Sequence, residues 1–260
     1  MHMLTVAARV QMTPGRVKRA LLLSMTLAAM PVEAPAAAAR DYCTPKSGAA
    51  AVDLSQRVNQ GFLDAMKTVG TQTIIRYYDH EDETIPGKTL RRQERDLIIA
   101  NGFHIAVVFQ HNNNKFASFT PLRGRQDAER SLVLAAENSQ PIGSAIYFGV
   151  DGGWRTAGEI ANIKAYFTAV QAGLGGKGYR IGVYGSGLVC KELLQDGLAE
   201  LCWLANAKSW PDYDAYFETM EWSLVQLLPA DCGGRNVDFN LTRRVDYGQF
   251  TSLPVRGRPR

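Results

Sequence analysis

The chain has 260 residues, 46% hydrophobic and 21% charged, which is ordinary globular composition and enough for one large domain with a full core. Its 29 basic and 25 acidic residues leave a formal charge of only +4. Lysines and arginines are scattered, with no basic run interleaved with aromatics, so a nucleic-acid partner is not expected.

Arg16, Lys18 and Arg19 precede the apolar run Ala20 to Met30, and small residues follow from Ala34 to Ala39. A basic flank, a short apolar stretch and a small-residue tail form the three-part pattern of a secretory signal, and the stretch is too short to span a bilayer. Residues 1–39 are therefore read as a signal, with Met12 as an alternative start. A helix packed on the domain is the competing reading. The barrel domain described below takes residues 40–254, and the Arg256 to Arg260 cluster is a solvated tail over 255–260. Without the signal the charges become 25 basic against 24 acidic. The expected location is secreted, periplasmic or cell envelope, with no membrane span once the signal is gone, and a monomer is expected.

Four cysteines remain, Cys43, Cys190, Cys202 and Cys232, and an even count in an exported chain favours disulfides. Three pairings are open. Cys190 with Cys232 is preferred, because both are expected in loops on the carboxyl-end face of the strands. No CxxC and no Cys/His spacing suits zinc, and His80, His104 and His111 form no spaced metal set, so neither metal nor cofactor is expected.

In chain order, Ala49 to Asp53 reads as a first strand and Val58 to Val69 as a helix. Thr71 to Tyr78 is a second strand, rich in β-branched and aromatic residues. After the polar loop Asp79 to Glu83 a helix starts at Thr89, and Ile105 to Gln110 is a third strand. A long polar loop, His111 to Arg123, carries Asn112-Asn113-Asn114. A helix over Gln126 to Ser139 leads to Ala145-Ile146-Tyr147-Phe148-Gly149-Val150-Asp151, an apolar run of strand length with a carboxylate at its end. A helix over Ile160 to Leu174, a strand over Gly178 to Gly185, a short helix over Leu193 to Leu198 and a strand over Leu201 to Ala205 follow. Tyr213 to Met220 is a helix, and Trp222 to Gln226 and Asn236 to Asn240 are the last strands. Strand and helix alternate as in an α/β fold, and eight strands in one unit favour a TIM-like (β/α)8 barrel. About ten residues between strands seven and eight are too few for a helical crossover, so the last β/α unit is incomplete.

The last residues of these strands are polar or aromatic. Asp53, Tyr78, Gln110, Asp151, Tyr184, Gln226 and Asp238 converge at the carboxyl-end mouth, with Arg76 and Trp203 slightly deeper. Acids beside Tyr, Trp and Gln suit a carbohydrate, because aromatic faces cover sugar rings while carboxylates and amides bind the hydroxyls. Each acid has two readings. Asp53 reads as a cap into its helix or as a site residue, and Asp151 as an Asx-turn or as the leading site acid. Asp238 reads as a partner of Arg76 or Arg235, or as a site residue. Tyr77, Tyr147 and Trp203 fit a core as readily as a ligand shelf, and Arg76 calls for a buried partner.

With those residues placed, the chain resembles the secreted glycoside-hydrolase-like domain family first catalogued as domain of unknown function 1906, whose members resemble the family 25 muramidases. The resemblance is carried in order by Ile75-Arg76-Tyr77-Tyr78, Val107 to Gln110, Ala145 to Asp151, Gly178 to Gly185, Leu201 to Ala205 and Val237-Asp238. It implies a TIM-like barrel, an extracytoplasmic setting and a glycan ligand, with peptidoglycan the leading class. It also implies that Asp151, Asp238 and Asp53 match acidic, catalytic pocket positions, and Tyr78, Gln110, Tyr147, Tyr184, Trp203 and Gln226 are the substrate-binding candidates around them. The muramidases carry Glu two places after the fourth-strand Asp, whereas this chain has Gly153. That departure leaves two functions open, a carboxylate-based glycosidase and a catalytically inactive glycan-binding envelope protein. A structural or partner-binding envelope protein is a third. Asp79, Glu81 and Glu83 are the acids that sequence offers as substitutes.

Overall fold

The computed structural model describes Cys43 and residues 48–251. The expected signal over 1–39 and the tail over 255–260 lie outside the described residues. Strands β1 (Ala49–Asp53), β2 (Thr73–Tyr78), β3 (His104–Phe109), β4 (Ala145–Gly149), β5 (Arg180–Gly185), β6 (Leu201–Leu204), β7 (Leu224–Asp231) and β8 (Asn236–Thr242) close into one barrel in sequence order. Helices α1 (Gln60–Thr68), α2 (Arg92–Ala100), α3 (Pro121–Glu137), α4 (Ala157–Leu174), α5 (Gly187–Gln195) and α6 (Tyr213–Thr219) fill the connections through β7.

Local chemistry explains the boundaries. All five residues of β4 are buried, as a strand covered on both faces must be. Thr120 caps α3 with Pro121 in the first turn, so α3 starts ahead of its apolar periodicity. Thr156 and Glu159 form a reciprocal capping box that opens α4. Ser186 caps α5, which starts well before the expected Leu193. Gly187 permits that start, since a Cβ there would lie 2.1 Å from the Asp212 carbonyl oxygen.

The last unit departs from a parallel barrel. β8 runs antiparallel to both β7 and β1, because Cys232 to Arg235 make a hairpin turn with Gly233 and Gly234 at φ 64° and 77°. Four residues can reverse a chain but cannot carry a crossover helix. Reversal turns β8 end for end, so Asp238, near its start, still reaches the mouth where the other strands finish.

One apolar core lies between barrel and helices, and a second fills the barrel itself with Ala51, Ile75, Val108, Tyr147, Trp203 and Leu224 among others. Tyr147 donates to the Tyr247 carbonyl at 2.8 Å and closes the floor of that interior. Arg76 points outward, fully buried, to Glu94 at 2.8 Å and to the carbonyls of Leu54 and Lys88, so it is a structural ion pair. Neither Arg76 nor Arg235 takes Asp238 as a partner; Arg235 donates to the Arg57 carbonyl instead.

The cysteine expectation needs correcting. Cys190 bonds Cys202 and Cys43 bonds Cys232. The early start of α5 puts Cys190 inside a helix, with its Cα 5.6 Å from that of Cys202 on β6, and not in a loop at the mouth. Cys232 does lie in the hairpin turn, where it ties the strand bearing Asp238 to the segment before β1.

Candidate functional site

A pocket of about 270 Å³ opens at the carboxyl ends of the strands. Tyr77, Gln110, Asp151, Tyr184, Gln226 and Asp238 form its walls, and Trp203 and Val108 its floor. Seven strands or strand ends thus contribute to one cavity, and β1 adds Asp53 just beneath it. The floor is held by the Trp203 indole, which donates to Asn240 Oδ1 at 2.7 Å and meets Tyr184 edge-on at 4.9 Å.

Asp53 is 1% exposed and sits opposite Asp238 in the β1–β8 register. Tyr77 donates to its Oδ1 at 3.0 Å, while Asn240 and Gln226 donate to its Oδ2 at 2.8 and 3.4 Å. Burial, and then the neighbouring Asp238, push the Asp53 carboxyl up to about 7 against those hydrogen bonds. Burial raises Asp238 to about 6. The two acids act as a pair that retains a proton near neutral pH. Both charges, with that of Asp151, bear on the Tyr184 hydroxyl, so the three acids share one neighbourhood.

Asp151 has different company. Burial raises its carboxyl, and the Gln110 amide at 3.0 Å and the positive charge of Lys88 resist. Its backbone amide is fixed by the Asn113 carbonyl at 3.0 Å. Lys88 is buried, donating to the Gln110 carbonyl at 2.8 Å and Thr84 Oγ1 at 3.1 Å, with Asp79 at 3.7 Å. Its ammonium also stands 4.9 Å from the centre of the Tyr77 ring. Lys88 was absent from the residues the sequence pointed to. It lies in a loop with no periodicity, and only the bridge pairing Thr89 with Tyr77 brings it inward.

Of the expected substrate-binding set, Gln110, Tyr184, Trp203 and Gln226 line the pocket, and Tyr78 and Tyr147 do not. Tyr78 faces the helices and donates to Gln140 Oε1 at 2.9 Å; its neighbour Tyr77 takes the inward place. Strand alternation explains this, because Arg76 and Tyr78 share the outer side. Tyr147 shares the inner side with Asp151 but lies four residues deeper, in the floor.

The residue two places after Asp151 faces an aromatic. A Cβ on Gly153 would lie 3.1 Å from Trp210 Cδ1, so the space an acid would use adjoins the indole. None of the acids after β2 fills the gap. Asp79 accepts from His80 N, Thr84 N, Thr84 Oγ1 and His111 Nδ1, and despite burial the Thr84 bonds, the Lys88 charge and the His111 bond hold it below the usual carboxylate range. Glu81 and Glu83 turn to Arg130 and Arg91. Among the described residues no three His, Cys, Asp or Glu side chains cluster as metal ligands.

This arrangement meets known proteins at several levels. The solved structure of the Tat-secreted protein Rv2525c from Mycobacterium tuberculosis, in complex with HEPES, superposes with a TM-score of 0.65 at 20% identity, covering 78% of this chain and 99% of that one. Two proteins of Bacillus subtilis, FadG and YbfG, are 23% and 26% identical over 158 and 168 residues. Those alignments take 60% and 61% of this chain but only 27% and 23% of the relatives, so the chain spans about a quarter of their length. The sequence pattern of one family matches residues 64–247, from α1 through the barrel to Tyr247. The chain belongs to the Rv2525c-like, glycoside hydrolase-like domain family.

Proposed function

We propose that this protein works outside the cytoplasm on cell-envelope glycan of the peptidoglycan class, and that it hydrolyses a glycosidic bond at the barrel mouth. The observation that carries the reading is the Asp53–Asp238 pair, a carboxyl group that keeps its proton near neutrality in a pocket walled by Tyr77, Tyr184 and two glutamines. Aromatic edges and amides hold the sugar. Asp238, exposed to the pocket and backed by Asp53, donates the proton to the leaving oxygen. Asp151, whose burial-raised carboxyl is opposed by the Gln110 amide and the Lys88 charge, stabilises or attacks the anomeric centre. The two environments thereby separate an acid from a base without the residue missing at Gly153. Bridging of all four cysteines fits an oxidising compartment, in keeping with the described secretion of Rv2525c.

A second reading, a glycan binder without turnover, is favoured by one feature, the Trp210 ring against Gly153. Sedimentation with purified cell walls, combined with release of reducing ends, separates the two. Binding with turnover supports the hydrolase, and binding without turnover supports the binder. If neither is seen, the glycan reading fails.

A further inference from the structure

Asn240 belongs neither to the pocket wall nor to the site residues expected from strand tips, yet it joins the Trp203 floor to the acid pair. It lies on β8 two residues past Asp238, so both side chains turn to the barrel interior, and it is fully buried. Its hydrogen-bonding capacity is taken up on both sides. Oδ1 accepts from the Trp203 indole at 2.7 Å, while Nδ2 donates to Asp53 Oδ2 at 2.8 Å and to the Asp238 carbonyl at 3.0 Å. An indole N–H can only donate and a backbone carbonyl can only accept, so the amide has a single orientation.

Gln226 is held in the same way. Its Oε1 accepts from the Tyr184 hydroxyl at 2.9 Å and from the Asn206 backbone amide at 3.5 Å, which leaves Nε2 to donate to Asp53 Oδ2 at 3.4 Å. Asp53 Oδ2 thus receives N–H groups from two amides, neither of which can accept in return, and a hydrogen placed on it would face their hydrogens. The other oxygen, Oδ1, faces the Tyr77 hydroxyl at 3.0 Å, a group that can turn and accept. Burial and then Asp238 raise the Asp53 carboxyl, and Asn240 comes first among the donors that oppose the rise, ahead of Tyr77 and Gln226.

We infer that Asn240 is a positioning residue that, locked by Trp203, keeps Asp53 Oδ2 free of hydrogen, so that the proton retained by the pair lies on Asp53 Oδ1 or on Asp238. Tyr77 and Asp238 both line the pocket, so either place presents the proton on the side where a substrate would sit. This rests on the hydrolase reading of the mouth. There the glycosidic oxygen takes the proton as its bond to the anomeric carbon breaks, and the attacking water returns one to the site. Holding a proton and presenting it are thereby separate properties of the pair.

Asn240→Asp separates them by experiment. It keeps the side-chain shape and the acceptor for Trp203 but replaces the donor facing Asp53 by an acceptor, so Oδ2 becomes the favoured place for the proton. In a pH titration of the full chain followed by the NMR carboxyl resonances, the Asp53 midpoint should rise by about one unit or more. Hydrolysis of solubilised cell-wall glycan should nonetheless fall, with kcat down about 100-fold and KM within about threefold of native. A site that needed only to hold its proton would instead stay active to higher pH. Asn240→Ala, which adds no charge, should show the same pattern at about tenfold in kcat, and it carries the test if the Asp variant does not fold. Gln140→Ala is the control, because Gln140 is a buried amide with three hydrogen bonds beside the outward-facing Tyr78. It should lower stability and leave midpoint and kcat unchanged. An unmoved Asp53 midpoint, a kcat within about threefold of native in the Asn240 variants, or equal changes in Gln140→Ala overturns the positioning role and leaves the hydrolase reading standing. If the native chain releases no reducing ends at any pH, the hydrolase reading falls and the positioning role with it.

Discussion

At the β1–β8 corner of the mouth Asp53 and Asp238 face each other with no cation paired to either among the described residues, whereas at the β4 corner Asp151 has an amide at 3.0 Å and a buried lysine nearby. Burial raises all three acids. What differs is the charge nearby, Asp238 raising Asp53 further at one corner and, after the Gln110 amide, Lys88 opposing the rise of Asp151 at the other. One barrel rim thus surrounds its acids with opposite electrostatics, and cleavage of a glycosidic bond uses one carboxyl as proton donor and another as stabiliser or nucleophile.

The comparison is broken most severely by removing the proton donor. Asp238→Asn is expected to lower release of reducing ends from cell walls by about 100-fold or more, while sedimentation with those walls changes little. Loss of both in parallel would make Asp238 structural.

The paired acids also predict how stability depends on pH. Their folded values of about 7 and about 6 lie above the ordinary 3.8, so between these limits the native state binds more protons than the unfolded chain. Stability is then fully present below about pH 4 and is lost as pH rises through 6 and 7. The Asp53 contribution is on the order of 4 kcal/mol across that window. Urea denaturation at pH 4.5 and pH 8 should show the decline in the native chain and a flatter profile in Asp53→Asn. An equal decline in both would place the effect elsewhere.

Lys88→Met acts on the other corner and should act less strongly. Without the cation the Asp151 carboxyl rises further, so the acid limb of the pH–activity profile should move to higher pH, with activity at neutrality down about tenfold. An unshifted limb with lower activity would mean that Lys88 only braces the Gln110 carbonyl.

Much of this rim was legible in the sequence, because a strand tip is defined by where an apolar run stops. That signal identified Asp53, Gln110, Asp151, Tyr184 and Gln226, whereas Asp238 reaches the rim from near the start of the reversed β8, and the short gap before β8 revealed the missing helix. The direction of β8 did not follow from alternation, since a hairpin and a truncated crossover leave the same apolar pattern. The end of the apolar run points to Tyr78, the last residue of β2, whereas Tyr77 takes the inward place. The side a residue faces depends on parity, and Arg76, which needs an outer partner, already carried that information. Lys88, Trp210 and the partner of Cys190 depend on loops and on helix starts, where no periodic signal exists.

Parity can be tested with the smallest change. Tyr77→Phe removes the hydroxyl that donates to Asp53, and Tyr78→Phe removes the one that donates to Gln140. Each loses one buried hydrogen bond, and on stability alone the two should be alike at about 1 kcal/mol. They should differ in electrostatics. Tyr77→Phe takes a donor from the Asp53 carboxylate, so it should raise the pH at which the pair gives up its proton and weaken wall binding by a few-fold. Tyr78→Phe should leave both unchanged, because its hydroxyl lies among the helices. Following the carboxyl resonances of Asp53 and Asp238 by NMR through a pH titration of both variants checks this. Equal shifts would mean that the inner and outer sides of β2 do not divide the site from its scaffold.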